Sequence, residues 1–125
     1  MKKAIATEKA PAAIGPYSQG VEFCQLIFTS GQLPLDPATG EMPESIEDCT
    51  RQALKNLAAV LEEAGSDLSK VLKTTVFLRD MDDFAAMNGV YAEFFAGSAY
   101  PARSAVQVAK LPKGARIEIE AVAHK

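Results

Sequence analysis

The spacing of apolar residues changes twice along the chain, and this change restricts the fold more than any other feature. From Ser45 to Gly65 apolar side chains recur every three or four residues, which predicts one amphipathic helix. Ser45 with Asp48 forms a capping pattern at its start, and Gly65 supplies its stop. A second helix is predicted from Asp82 and Asp83 to a stop at Gly97. Its buried stripe comprises Phe84, Met87, Val90 or Tyr91, Phe94 and Phe95.

The segments around these helices alternate with period two or are rich in β-forming residues, so we predict strands there. In "KVLKTTVFLRD" the alternation places Leu72, Thr74, Val76 and Leu78 on one face. "RIEIEAVA" likewise separates Ile117 and Ile119 from Arg116, Glu118 and Glu120. The predicted strands are 3–6, 21–30, 70–80, 102–111 and 116–123.

The predicted element order is strand, strand, helix, strand, helix, strand, strand, within a single domain spanning 1–125. Two helices cannot cover both faces of such a sheet, so we expect both to pack on one face. The other face then needs a partner chain. The sequence therefore predicts an α+β protomer with a mixed sheet in a closed homo-oligomer.

Composition excludes several classes of function. The net charge of −3 gives no general attraction to phosphate backbones or anionic lipid, so nucleic-acid binding would need a local patch. The N-terminal residues lack a secretory apolar core, so we expect a cytoplasmic protein. Cys24 and Cys49 are expected to be core or helix-face residues, and a lone His124 offers no metal cluster.

Arg103 follows a proline and precedes an apolar strand in "YPARSAVQVA". A buried guanidinium must reach water, pair with an acid of the protein, or hold an anionic ligand. If the last two strands form a hairpin, Gln107 lies opposite Glu118 and Arg103 lies about 13 Å farther along, at about 3.3 Å per residue. A direct ion pair within one chain is then not expected. The two charges could bind the ends of a small molecule in a groove or meet across a subunit boundary.

Other candidate ligand contacts lie in two loops. Tyr17, in "IGPYSQG", is either a ligand contact or a structural plug. Ser30 and Gly31 end a predicted strand, where a glycine allows close approach to the backbone N–H, although such a dipeptide is commonly just a turn. Since the sequence offers no nucleophile triad, phosphate loop or metal site, its chemistry must use carboxylate, guanidinium, hydroxyl and backbone dipoles.

Five spaced motifs give the chain a specific resemblance to the Rid/YjgF/L-PSP family, and most closely to its RidA branch of enamine/imine deaminases. They are "APAAIGPYSQG", "TSGQLPLDPATGE", "LKTTVFLRDMDDFAAMN", "YPARSAV" and "IEIEAVA". The resemblance implies a chorismate-mutase-like α+β protomer and a homotrimer with active sites between subunits.

The resemblance also implies roles for individual residues. Arg103 corresponds to the carboxylate-binding arginine and Glu118 to the acid that handles water. Tyr17, Ser30 and Gly31 correspond to ligand contacts, and Asn88 to a position that shapes the pocket. Ala105 stands where many relatives have cysteine, so thiol chemistry is not expected here.

The implied reaction is hydrolysis of 2-aminoacrylate or 2-aminocrotonate, as the imines 2-iminopropanoate and 2-iminobutanoate, to 2-keto acids and ammonia, without a cofactor or metal. Two other classes stay open. One is an endoribonuclease or translation inhibitor, which the acidic charge and the lack of a histidine pair oppose. The other is a non-catalytic protein that binds small carboxylates through Arg103, Tyr17 and Gly31.

Overall fold

The computed structural model describes residues 1–125 and contains one six-stranded sheet with two helices packed on one face. The strand order is β1-β2-β3-β6-β4-β5; β4 and β5 pair in parallel and all other neighbours pair antiparallel. The sheet is therefore mixed, as the sequence predicted. The elements are β1 Lys3–Ile5, β2 Gly20–Phe23, β3 Leu26–Thr29, α1 Ile46–Glu63, β4 Val71–Leu78, α2 Phe84–Phe95, β5 Ala102–Gln107 and β6 Ile117–His124.

Helix α1 begins and ends where the sequence indicated. The Ser45 hydroxyl accepts a hydrogen bond from the Asp48 backbone N–H at 3.1 Å, which satisfies one of the free donors of the first turn. After the helix, Gly65 adopts a φ of 81°, a conformation that favours glycine. The apolar stripe of α1, including Leu54 and Leu57, is fully buried. Neither helix combines the length and the apolar character needed to cross a membrane.

Alternation along β4 and β6 determines what each face of the sheet presents. Val76 and Leu78 of β4 and Ile117 and Ile119 of β6 are buried against the helices. Their neighbours in sequence, including Glu118, therefore point to the opposite face. We call this side the open face, since no element of the chain covers it. It also carries Phe28, which is 45% exposed.

The segment 21–30, predicted as one strand, is a hairpin of β2 and β3. Phe23 pairs with Leu26 across a two-residue turn in which Cys24 has a φ of 54°. Cys24 is exposed, so the prediction that it is a core or helix-face residue was wrong, whereas Cys49 is buried on α1. The turn contains no glycine, asparagine or aspartate, which are the residues that usually announce a left-handed turn.

The last two strands do not form the hairpin that the sequence analysis considered, because they lie on opposite sides of β4. Glu118 pairs with Phe77 of β4, and Gln107 pairs with Leu78 on the other side of β4. The reason is that α2 carries the chain over the sheet, so β5 returns parallel to β4 instead of turning back antiparallel. Strand β6 then pairs along the remaining side of β4.

A β-bulge at the start of β4 changes the predicted alternation there. The pairing register with β6 shifts between Val71 and Lys73. As a result Val71 is buried and Leu72, predicted on the inner face, is 47% exposed. An extra residue in one strand shifts all following side chains relative to those before it. The inner positions Thr74, Val76 and Leu78 are as predicted.

Candidate active site

The predicted site residues form two groups in the chain. The first lines a pocket of about 630 Å³ where the end of β3 meets β6. The second lines an open depression of about 420 Å³ beside α2. Tyr17, Ser30, Gly31 and Glu118 belong to the first group, and Asn88 and Arg103 belong to the second.

The two groups lie on opposite faces of the sheet. Arg103 of β5 pairs with Thr74 of β4, whose side chain is buried on the helix side. Glu118 of β6 pairs with Phe77, three residues farther along β4 and therefore on the open face. The guanidinium and the carboxylate of one chain consequently have the sheet between them. The prediction that no direct ion pair forms within one chain is correct, although the hairpin on which it relied is absent.

The guanidinium of Arg103 contacts neutral groups only. Its Nη1 donates to Asn88 Oδ1 at 2.7 Å, and its central carbon lies 4.8 Å from the ring centroid of Tyr91 and 5.4 Å from that of Phe84. No carboxylate lies within 4 Å of it. Aromatic rings and an amide hold the cation without neutralising it, so its charge remains available to an anion.

Tyr91 is fixed beneath this guanidinium. Its hydroxyl shares a buried hydrogen bond of 2.7 Å with Thr74 Oγ1, and its ring stacks on Phe95 with centroids 4.6 Å apart. Burial raises the pKa of the Tyr91 phenol. Sequence reasoning placed Tyr91 only as a possible member of an apolar stripe. The available signal was that a buried tyrosine needs a hydrogen-bond partner.

Glu118 packs directly against Gly31. A Cβ atom on residue 31 would lie 2.6 Å from the Glu118 carboxyl carbon, so only glycine leaves room for this carboxylate. Burial raises the pKa of Glu118, and the negative charge of Glu120 raises it further. No cation lies within 4 Å of Glu118. The sequence suggested that Gly31 admits a ligand, whereas in the structure its space is taken by the carboxylate.

The loop that carries Tyr17 is attached to β3 and to the N-terminal segment. Ser30 Oγ donates to the Ser18 carbonyl at 2.6 Å, which leaves its oxygen free to accept. The buried Gln19 side chain accepts from the Thr7 backbone N–H at 2.7 Å and donates to the Pro11 carbonyl at 2.7 Å. Gln19 has no local signal in the sequence, because its hydrogen-bond partners are eight or more residues away in the chain. Tyr17 itself is 53% exposed and lies at the edge of the pocket.

The donors and acceptors of these residues define the chemistry that the two groups can perform. No group of three or more His, Cys, Asp or Glu side chains is positioned to hold a metal ion. One site offers a carboxylate that protonates more readily than an exposed one, and the other offers an unneutralised guanidinium. Such groups can bind a small anion and exchange a proton with water.

Comparison with known proteins gives the family. The sequence pattern of the family described as endoribonuclease L-PSP matches residues 7–125. A 2-iminobutanoate/2-iminopropanoate deaminase of Escherichia coli K12 is 52% identical over 125 residues, covering 98% of each chain. The RutC family protein PH0854 of Pyrococcus horikoshii is 55% identical over 126 residues, covering 100% of this chain and 99% of the relative.

Solved structures agree over the whole fold. The Rid family protein YyfA of Yersinia pestis superposes with a TM-score of 0.98 at 47% identity and complete coverage of both chains. Escherichia coli TdcF with bound serine gives a TM-score of 0.96 at 48% identity, covering 98% of each chain. These matches confirm the resemblance seen in the five sequence motifs: the chain belongs to the endoribonuclease L-PSP family, within which it is similar to the 2-iminobutanoate/2-iminopropanoate deaminases.

Proposed function

We propose that the protein hydrolyses 2-iminobutanoate and 2-iminopropanoate to the corresponding 2-keto acids and ammonia. A relative that is 52% identical over 98% of this chain carries the name of that activity. The relative TdcF, solved with bound serine, supports a small amino-acid-like ligand in this fold. We further propose that the protein is cytoplasmic and that the reaction uses neither a metal nor an organic cofactor.

Arg103 binds the substrate carboxylate in this mechanism. Its guanidinium is held by Asn88 and lies over Tyr91, which leaves further N–H groups to form a two-point contact with a carboxylate. Such a contact fixes the orientation of the C=N carbon relative to a bound water. Orientation of this kind lowers the entropic part of the barrier.

Glu118 acts as the general base and then as the general acid. Its carboxylate removes a proton from water as the water oxygen adds to the imine carbon, and Glu118 passes that proton to the imine nitrogen to give a neutral carbinolamine. Glu118 then takes the proton of the carbinolamine hydroxyl and delivers it to the nitrogen, so that the C=O bond forms as the C–N bond breaks and ammonia and the keto acid are released. Burial raises the pKa of Glu118 towards neutral pH, which is the direction that suits such a shuttle. The free N–H of Gly31, which donates to no protein acceptor, is suited to binding an oxygen of the substrate.

The active site is completed by a second subunit of a homotrimer. Arg103 and Glu118 lie on opposite faces of the sheet in one chain, and neither has a charged partner there. Association of chains through the open face brings the Glu118 pocket of one subunit to the Arg103 depression of the next. This separation of two unpartnered charges is the observation that carries the proposal.

Mixing two inactive variants tests the shared site. Arg103→Ala retains Glu118, and Glu118→Gln retains Arg103; each alone should lose nearly all imine hydrolysis, measured as keto acid released beside a threonine dehydratase. When equal amounts are unfolded and refolded together, random assortment places an intact arginine next to an intact glutamate in about one quarter of the interfaces. We therefore expect about a quarter of the wild-type activity to return.

The control is the same mixture without unfolding, which should stay inactive while the assemblies remain intact. Circular dichroism and light scattering verify that each variant folds and assembles. Restored activity below a few per cent after co-refolding, with normal assembly, would show that both groups act within one chain. Full activity of either variant alone would remove that residue from the mechanism.

RNA cleavage is the second candidate, because the family description names an endoribonuclease. The net charge of −3 gives no general attraction to RNA, and a single histidine leaves no histidine pair for acid-base cleavage. Ribonuclease activity that co-purifies with the protein and disappears in Glu118→Gln would support it.

A carboxylate-binding role without turnover is the remaining alternative. The same dehydratase assay distinguishes it from imine hydrolysis, since a pure binding protein would not accelerate keto acid release.

A further inference from the structure

Lys113 is a lysine in a conformation that favours glycine. Its φ of 57° and ψ of 20° lie in the left-handed region. Cys24 is the only other non-glycine residue of the chain with a positive φ. Cys24 belongs to a tight hairpin turn, whereas Lys113 lies between β5 and β6. Non-glycine residues that are held in such a backbone conformation occur preferentially at functional positions.

The turn around Lys113 is fixed on both sides. Pro112 precedes it, and the Ala115 N–H donates to the Pro112 carbonyl at 3.1 Å. Arg79 Nη1 donates to the Gly114 carbonyl at 2.9 Å, which ties the turn to the end of β4. The backbone therefore holds Lys113 in one place while its side chain stays exposed.

Lys113 lines the same pocket as Glu118, Tyr17, Ser30 and Gly31. It is the only cation among the residues that line this pocket, and Glu118 is the only anion. Lys113 forms no ion pair with Glu118 or with any other carboxylate. Its charge is thus unneutralised, and the residue lines the space that a substrate would cross.

An imino acid is an anion, and in the proposed reaction it has to approach a carboxylate. Arg103 approaches the substrate carboxylate from the other subunit, so within one chain Lys113 is the cation that lines the Glu118 side. A cation beside Glu118 offsets the repulsion where the anion passes the carboxylate, because Coulomb attraction acts over several ångströms.

We propose that Lys113 is a specificity-determining residue that attracts the anionic substrate into the Glu118 pocket and favours charged over neutral imines. This inference rests on the proposed function. The structural requirement is the positive charge and not the chemical identity of the amine, so arginine at this position should serve as well.

The test compares Lys113→Gln with Lys110→Gln. Lys110 lies three residues earlier in the chain, is exposed and does not line the pocket. Its substitution by glutamine changes the net charge by the same amount as Lys113→Gln. With 2-iminobutanoate generated by a threonine dehydratase at low salt, we expect Lys113→Gln to lower kcat/KM about three- to tenfold through KM, with kcat unchanged. The difference should shrink strongly at about 0.5 M salt, where screening is nearly complete. Lys113→Arg should retain wild-type kinetics, and Lys110→Gln should match the wild type.

Lys113→Asn separates charge from backbone strain, since asparagine tolerates the left-handed conformation. It should behave as Lys113→Gln does. Equal kcat/KM for Lys113→Gln and Lys110→Gln at low salt would overturn the inference, as would a loss confined to kcat or one that salt leaves unchanged.

Calorimetric binding of 2-oxobutanoate gives a second readout that does not need turnover. If the wild type fails to hydrolyse the imine, the proposed function fails, but charge attraction still predicts weaker binding of this anion to Lys113→Gln than to Lys110→Gln. Equal binding to both variants would then reject the role of Lys113 as well.

Discussion

The Glu118 carboxyl carbon occupies the space that a side chain on Gly31 would need, at 2.6 Å from the position of a Cβ atom. Gly31→Ala should therefore displace the carboxylate, which can rotate away because it ends a flexible side chain. We expect imine hydrolysis to fall about 100-fold, the usual scale for loss of catalytic positioning, with little change in thermal stability. Kinetics and a melting curve measure the two effects.

Gly89 provides the matched control for this substitution. It lies on the exposed side of α2, and a Cβ atom there would meet nothing within 4 Å. Gly89→Ala should leave kcat/KM unchanged and stabilise the fold by about 0.5–1 kcal/mol, because alanine loses less backbone entropy in a helix. A catalytic defect in Gly89→Ala, or normal activity in Gly31→Ala, would contradict the assigned role of Gly31.

Asn88 holds Arg103 through a neutral amide oxygen at 2.7 Å. A carboxylate in its place would pair with the guanidinium and compete with the substrate. We expect Asn88→Asp to raise KM about tenfold or more above that of Asn88→Ala, since a hydrogen bond to a charged group contributes about 1.5–3 kcal/mol. Steady-state kinetics on both variants check this. Identical KM values would show that Asn88 does not control the availability of Arg103.

Ionised Glu118 is expected to destabilise the fold, because burial raises its pKa above the ordinary value of 4.5. Between that value and the raised pKa, the folded chain binds more protons than the unfolded chain, so stability falls as pH rises through this interval. Glu118→Gln cannot ionise. Its urea midpoint should exceed that of the wild type at pH 8, and the difference should vanish at about pH 4.

Glu41→Gln is a suitable reference for this pH experiment, since Glu41 is an exposed loop residue without an ion pair. Its urea midpoint should follow that of the wild type at both pH values. A Glu118→Gln midpoint at or below the wild type at pH 8 would mean that the half-buried carboxylate does not destabilise the fold.

Gln19 is a structural group on which the Tyr17 loop depends. Its buried side chain satisfies backbone groups of Thr7 and Pro11. Gln19→Ala leaves these groups unpaired, so the free energy of unfolding should drop by about 1–3 kcal/mol. Gln25→Ala, in the exposed β2–β3 turn, should change it by less than about 0.5 kcal/mol. Urea denaturation of both variants decides whether the hydrogen bonds of Gln19 stabilise the fold.

Local features of the sequence predicted the helices and the side chains that face the core. Ser45 as the cap of α1 and Ile117 and Ile119 as inner residues of β6 follow from neighbours within a few positions. Strand order could not be obtained in this way. Nothing in the segment between Gln107 and Ile117 shows that β6 pairs with β4 and not with β5, because that choice depends on how α2 crosses the sheet.

The candidate site also has features with a local signal in the sequence and features without one. Arg103 attracted attention because an unpaired charge beside an apolar strand needs an explanation, and its neutral surroundings in the structure agree with that reasoning. The contact between Gly31 and Glu118 joins residues far apart in sequence and has no local signature. The hydrogen bond between Tyr91 and Thr74 likewise has no local signal, because it joins a helix to a strand.

Arg103 and Glu118 of one chain point away from each other across the sheet, so in the proposed shared site the working unit is an assembly of several chains. A newly synthesised chain would be inactive until it associated with other copies of the chain. Turnover per chain would then rise with total protein and level off once association saturates. The activity of each chain would depend on the concentration of the protein as well as on its sequence.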